Sequence, residues 1–367
     1  LKSSYEAFTM YRNTKNVPYY VFGRGSLAQL GELLKPRREA VDGPVVYFVD
    51  HFFRDHELIG RLPMEKGDQL HFVDSSSEPE VTRIDAFKEA VSAADSRTPC
   101  CVVGIGGGNA LDTAKAVANL LTNPGKAEDY QGWELVKNPA VYKIGIPTLS
   151  GTGSECSRTC VLTNIPKNLK LGMNSDYTVY DQLLLDPDLL ATVPRDQYFY
   201  TGIDTFMHCV ESLQGSYRNA IIDAFSVRAV QLCEEIFLSD DMMSEENREK
   251  MMIASYIGGM AAGNVGVIHP FSAGLGVVLH VAHGLGNCLA LNVLGDIYPK
   301  EYKQFRTMIE RQGVNLPTGI CKDLTEEQYE GLYRGCIVHE KPLTNALGPD
   351  FKQILTRENL IERYKSI

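Results

Sequence analysis

Apolar runs and helix-period segments alternate through the first half of the chain. Residues 17–22 (VPYYVF), 45–49 (VVYFV), 100–105 (CCVVGI) and 142–146 (YKIGI) are short apolar stretches, and 71–73 is a shorter one. Runs of this length, bounded by Gly, Pro or Asp, predict strands buried on both faces. Residues 27–34, 81–94 and 110–121 repeat apolar positions at the helical period. Strand–helix alternation predicts a parallel sheet covered on both sides. After 186-DP-187 strand-like runs become scarce. Residues 200–213, 220–237, 246–262 and 267–284 read as long helices, and the end from Leu324 as short ones. The expected architecture is an α/β domain over 1–187, Rossmann-like, followed by an all-helical domain over 188–367.

The chain has 367 residues, with 36 basic and 46 acidic side chains and a formal net charge of -10. That balance argues against nucleic acid or an anionic membrane as the main partner. No apolar run is long enough for a membrane helix. The first residues, LKSSYEAFTMYRN, lack the apolar core of a secretion signal. The nine cysteines are odd in number, form no CxxC pair and sit largely in apolar segments. Reduced thiols in a cytoplasmic protein are expected, not a disulfide framework or a thiolate zinc site.

Three segments carry chemistry suited to a nucleotide. In 104-GIGGGNALDTAK-115 an apolar strand runs into Gly106, Gly107 and Gly108, followed by Asn109, a further candidate cofactor contact, and a helix from Ala110. Bare backbone at a helix N-terminus suits a pyrophosphate, although the same pattern also serves as a tight turn. Asp112 joins the candidate cofactor residues, or forms a solvated i, i+3 pair with Lys115. Asp50 ends the run 45-VVYFVD-50, where a carboxylate can accept ribose hydroxyls and repel a 2′-phosphate, favouring NAD over NADP. In 146-IPTLSGTGSECSRT-159, hydroxyl residues and glycines follow a strand end. This arrangement suits phosphate or nicotinamide contacts, or alternatively a capped helix start.

The stretch 202-GIDTFMHCVES-212 places Asp204 and His208 one helical turn apart in an otherwise apolar helix. His269, His280 and His283 follow. Three imidazoles and a carboxylate suit a first-row divalent ion such as Fe²⁺ or Zn²⁺. A buried Asp with no Lys or Arg nearby in sequence also needs a cation. The competing reading is an Asp–His hydrogen bond inside a bundle.

The ordered set 22-FGRGSLAQL-30, 106-GGGNALDTAK-115, 147-PTLSGTGSE-155, 186-DP-187, 202-GIDTFMHCVES-212 and 283-HG-284 resembles the iron-containing (group III) alcohol dehydrogenases of the dehydroquinate synthase-like superfamily. The resemblance implies a dinucleotide-binding domain and a helical metal-binding domain with the active site between them. It implies metal ligation by Asp204, His208, His269 and His283, with His280 outside the set. It places Gly106, Gly107 and Gly108 at the pyrophosphate and Asp50 near the adenine ribose. Thr148, Thr152 and Ser154 would lie along the phosphates and nicotinamide, and Lys170 would reach the cofactor. Two positions depart from the family: Asn109 stands where Ser is usual, and Ala273 where many members carry a histidine beside the nicotinamide. No catalytic residue beyond the metal centre is therefore assigned. A homodimer is expected by the same analogy.

The segments 131-QGWELVKNPAVYKIGIPTLSGTGSE-155, 319-GICKDLT-325 and 345-NALGPDF-351 resemble, more narrowly, the branch containing 3-deoxy-D-manno-octulosonate 8-oxidase. That resemblance implies a terminal primary alcohol of a sugar acid in lipopolysaccharide synthesis as substrate, oxidised by hydride transfer to NAD or NADP. Arg158, Arg195 and Lys170 are candidate cations for the acid. The alternatives are a general short-chain alcohol or aldehyde dehydrogenase, an oxygen-dependent oxidase of the same sugar acid, and a dehydroquinate synthase-like lyase.

Overall fold

The computed structural model describes residues 15–367 except Asn168. The N-terminal stretch read above for a secretion signal lies outside the described residues. Six parallel strands form the main sheet: β1 (Tyr19–Phe22), β2 (Val45–Asp50), β3 (Gln69–Val73), β4 (Cys101–Gly106), β6 (Lys143–Pro147) and β9 (Gln182–Leu185). Their spatial order is β1-β9-β6-β4-β2-β3. Alternation along β2 shows why its run is apolar throughout. Val45, Tyr47 and Val49 join the core under α1 (Leu30–Ala40), while Val46 and Phe48 join the core under α2 (Val81–Ala94) and α3 (Gly108–Leu120). A strand covered on both faces has no polar side to show.

The sequence pattern missed a second, three-stranded sheet. It contains β5 (Gly132–Trp133), β7 (Thr159–Asn164) and β8 (Leu169–Asn174), with β7 and β8 antiparallel. Its strands are only half-buried, so they lack the apolar continuity of the main sheet.

From Arg195 the chain is helical: α4 (Arg195–Gln214), α5 (Ala220–Phe237), α6 (Glu245–Gly258), α7 (Ile268–Leu279), α8 (His283–Val293), α9 (Pro299–Gln312), α10 (Glu326–Ile337), α11 (Glu340–Leu347), α12 (Phe351–Ile354) and α13 (Arg357–Lys365). The protein is thus an α/β domain with a parallel six-stranded sheet followed by an all-helical domain. One expectation is overturned here. Residues 267–284 do not form one helix: α7 ends at Leu279, His280 adopts a left-handed conformation (φ 56°), and α8 begins at His283. The left-handed cap lets the His280 N–H reach the Gly276 carbonyl and ends the helical ladder. Among the described residues no single helix is long and apolar enough to cross a bilayer.

The loop after β6 joins the two domains. The Gly151 N–H donates to Ser255 Oγ (2.8 Å), and Thr205 Oγ1 donates to the Gly151 carbonyl (2.7 Å). A Cβ on Gly151 would stand 1.9 Å from the Thr201 carbonyl oxygen, and one on Gly153 2.3 Å from Gly259 Cα. These glycines allow backbone-on-backbone contact with the helical domain. Their bareness thus serves contact between the domains, where the sequence suits a ligand or a capped helix start.

Candidate metal centre and cofactor cleft

Asp204 and His208 lie on α4, which is buried along nearly its whole length. His269 is the second residue of α7, and His283 the first of α8. The break at His280 turns α8 back, so that the two histidines meet. The Nε2 atoms of His208, His269 and His283 lie 3.4, 3.2 and 3.6 Å from a single oxygen, Asp204 Oδ1. One donor atom from each of the four residues falls within 4.8 Å of the others. His280 is exposed and stays outside.

The charges in this cluster are incomplete without a cation. Asp204 is fully buried, and its Oδ2 has no hydrogen-bond partner. Burial alone would raise its pKa, yet His208, His283 and His269 hold it below the usual carboxylate range. Burial pushes both His208 and His283 down to about 4, against the pull of Asp204. Both are therefore neutral at pH 7, with lone pairs free to ligate. His269 moves the other way: burial would lower it, but Glu211 and Asp204 raise it to about 9. A proton on His269 is the smallest cation able to sit between these carboxylates, and a divalent ion fits the same need better. Three imidazole nitrogens and one carboxylate oxygen are borderline donors suited to Fe²⁺ or Zn²⁺.

Sequence reasoning missed the residues behind the ligands. Glu211 is buried and sits one turn beyond His208 on the same face of α4. Its carboxylate accepts the Nδ1–H of His269, the Ile268 N–H (2.6 Å) and the Tyr298 hydroxyl (3.1 Å). A carboxylate can only accept, so Nδ1 carries the proton and Nε2 is directed at the centre. Asn287, one turn after His283, donates to Asp204 Oδ1 at 2.7 Å. The signal for Glu211 was present as a third polar position at i, i+4, i+7 in an apolar helix.

The cofactor side lies at the carboxyl ends of β2 and β4, the strands between which the connections change direction. In such sheets ligands bind at that switch point. Asp50 and Gly106 end these strands, and a Cβ on Gly106 would stand 3.0 Å from Asp50 Cβ. Asp50 accepts from the Phe52 N–H (3.0 Å) and the Ser75 hydroxyl (2.9 Å). Gly107 provides no side-chain cap to α3, whose first-turn N–H groups have no partner within the helix. Thr148 is held through its N–H to the Gly106 carbonyl (3.0 Å). Thr152 Oγ1 would be 3.1 Å from a Cβ on Gly108. Thr148 and Thr152 therefore flank the glycine turn.

Three further expected cofactor residues, Asp112, Ser154 and Asn109, also have their side chains engaged within the protein. Asp112 accepts from the Ser154 hydroxyl (2.5 Å) and the Val161 N–H (2.8 Å), and buried Lys115 donates to the Ser154 carbonyl (2.7 Å). Asp112 and Lys115 are thus a buried strut between α3 and the loop, where a solvated pair was one reading. Asn109 donates to the Ser77 (2.9 Å) and Ser75 (3.3 Å) carbonyls, so its amide fixes the neighbouring loop. The Lys170 ammonium is 2.9 Å from the Glu78 carboxylate. Arg158 is instead tied to Asp176 and Glu134, and Arg195 to the carbonyl and side chain of Gln312. All nine cysteines are buried and unpaired.

Comparison with known proteins agrees with this geometry. The family described as "Iron-containing alcohol dehydrogenase" matches residues 18–187, and "Fe-containing alcohol dehydrogenase family, C-terminal" matches 198–331. A sulfoacetaldehyde reductase of Bilophila wadsworthia is 34% identical over 220 residues, spanning 58% of this chain and 56% of that protein. An NAD-dependent methanol dehydrogenase of Bacillus methanolicus is 29% identical over 74% of this chain and 71% of its own length. The fold matches that of the sulfoacetaldehyde reductase from Bifidobacterium kashiwanohense in complex with NAD+, with a TM-score of 0.78 and 24% identity over 97% of this chain and 98% of that one. An alcohol dehydrogenase from Oenococcus oeni superposes with a TM-score of 0.80 at 21% identity, covering 97% and 99% of the two chains. The chain belongs to the iron-containing alcohol dehydrogenase family.

Proposed function

We propose that this protein interconverts an alcohol and an aldehyde by hydride transfer to and from NAD, with a divalent ion in the helical domain. The convergence of three imidazole Nε2 atoms on Asp204 Oδ1, in a chain whose parallel sheet ends β2 and β4 in Asp50 and Gly106, carries this reading. When bound, the ion supplies Lewis acidity toward the substrate oxygen and the nicotinamide supplies hydride capacity. The chain's own residues then have defined tasks. Asp204, His208, His269 and His283 hold the ion, and Glu211 fixes the tautomer of His269. Gly106, Gly107 and Gly108 let backbone approach the pyrophosphate, while Asp50 accepts ribose hydroxyls. Thr148, Thr152 and Lys170 line the approach to the nicotinamide. Ala273, one turn after His269, carries no proton, so proton exit runs through solvent or substrate hydroxyls.

Two of the relatives are named for sulfoacetaldehyde and methanol, which favours the general dehydrogenase over the sugar-acid reading. Arg158 and Arg195, expected to receive the acid, are committed to other partners. The test is anaerobic reconstitution with Fe²⁺ or Zn²⁺, followed by absorbance of the reduced nicotinamide with NAD or NADP. Short alcohols, diols and 3-deoxy-D-manno-octulosonate form the panel. Metal-dependent reduction of NAD by short alcohols or diols supports the reading, and turnover of the sugar acid alone restores the narrower one. Silence with every alcohol from a metal-loaded enzyme overturns both. The homodimer belongs to the same proposal, and light scattering on the eluted protein decides it.

A further inference from the structure

A second charged group stands against α7, the helix that carries His269. Glu78 lies in the loop between β3 and α2, and its carboxylate is 2.9 Å from Lys170 Nζ. The side chains are 25% and 9% exposed, so the pair is largely withdrawn from water. Neighbours on both sides anchor the loop. Asn109 holds the Ser75 and Ser77 carbonyls, and the Pro79 carbonyl accepts the Thr163 N–H (2.8 Å). Asn109 is one of the two departures from the family pattern, and it fixes the segment that presents Glu78.

Lys170 reaches the pair from β8, opposite Thr163 in the small sheet. Its ammonium lies 4.0 Å from where a Cβ on Gly276 would stand. His269, Ala273 and Gly276 are at i, i+4 and i+7, so they share one face of α7. The ion pair therefore stands over the face of α7 that carries the ligand His269 and, one turn on, the buried Ala273.

A lone ammonium here would attract a sulfonate or carboxylate on the substrate. Paired with Glu78 it does not, because an incoming anion meets the carboxylate as well. A hydroxyl can instead donate to Glu78 and accept from Lys170. We propose that Glu78, by pairing with Lys170, is a specificity-determining residue that selects an uncharged, hydroxyl-bearing carbon next to the reacting carbon and rejects a sulfonate or carboxylate there. This rests on the alcohol–aldehyde reading above. It separates the substrate of this chain from the sulfonated aldehyde for which the Bilophila relative is named.

The test uses the metal-loaded enzyme with NAD, the near-isosteric Glu78→Gln and the double variant Glu78→Gln/Lys170→Met. Steady-state rates compare 1,2-propanediol with 2-hydroxyethanesulfonate. Calorimetry measures unreactive ethanesulfonate and, separately, NADH. In the wild type, kcat/KM for the diol is expected to exceed that for the sulfonate at least a hundredfold. Glu78→Gln narrows the ratio at least tenfold and tightens ethanesulfonate binding, while NADH affinity stays within twofold. The double variant loses the gained sulfonate affinity. An unchanged ratio and unchanged ethanesulfonate binding in Glu78→Gln overturn the proposal. So does a parallel change in NADH affinity, which would assign the pair to the cofactor. If no alcohol reduces NAD, the dehydrogenase reading fails, and calorimetry still decides whether Glu78 repels the anion.

Discussion

Replacing Glu211 with Gln tests whether the metal centre depends on the carboxylate behind it. The side chain is buried and accepts three hydrogen bonds, from His269 Nδ1, the Ile268 N–H and the Tyr298 hydroxyl. Glu211→Ala would leave those buried donors unsatisfied, at about 1–3 kcal/mol each, and confuse folding with metal binding. Gln keeps the volume and one acceptor oxygen, which can serve Ile268 and Tyr298. Its amide then faces His269, so Nδ1 must accept and the proton moves to Nε2, the nitrogen aimed at the metal. Loss of such an outer partner typically weakens metal affinity 10–100-fold, or about 1.4–2.7 kcal/mol at 25 °C. The assay is chelator competition for Zn²⁺, with the metal-induced rise in unfolding temperature as a second readout, because ligand stabilisation follows the logarithm of affinity. The metal-free variant should unfold close to the wild type. Wild-type zinc affinity in Glu211→Gln would refute the assigned tautomer and the role of Glu211.

Three further outcomes are expected. For the metal-free protein, His208 and His283 have folded pKa values of about 4, below the unfolded 6.5, so their contribution is lost as pH falls from 6.5 toward 4. His269, raised to about 9, contributes fully below 6.5 and loses that contribution as pH rises through 9. Metal-free stability from these groups thus peaks near 6.5 and metal removes the alkaline decline; thermal melts at pH 5, 6.5 and 8.5 check this, and metal-free stability that climbs from 6.5 to 9 contradicts it. Gly153→Ala places a Cβ 2.3 Å from Gly259 Cα at a φ of 64°; denaturant titration should show a loss of roughly 3 kcal/mol, and a loss under 1 kcal/mol would mean the domains dock less rigidly than described. Asp50→Ala removes the carboxylate at the end of β2; the kcat/KM ratio of NAD to NADP should drop at least tenfold, and an unchanged ratio would place the adenine ribose elsewhere.

Much of this molecule is legible along the chain, wherever the deciding interaction is local. The strands of the main sheet appear as unbroken apolar runs because helices cover both faces. Asp204 and His208 stand out because one helical turn relates them. His269 and His283 are different. In one straight helix their 14-residue separation would place them about 21 Å apart. They meet because the chain takes a left-handed turn at His280, a residue whose own sequence context reads as helix. Asp112 and Asn109 sit in a nucleotide-like motif, yet their partners, Ser154 and the Ser75–Ser77 carbonyls, come from loops more than thirty residues away. The same holds for Glu78 and Lys170, joined only when the small sheet packs against the cofactor loop. The sequence by itself determined the two-domain architecture, the glycine turn and the donor types for a metal, because each depends on composition and short-range periodicity. The tertiary structure decided which donors converge, which carboxylates orient them and which cations are already committed to partners, because those depend on distances that only the packing of separate elements sets.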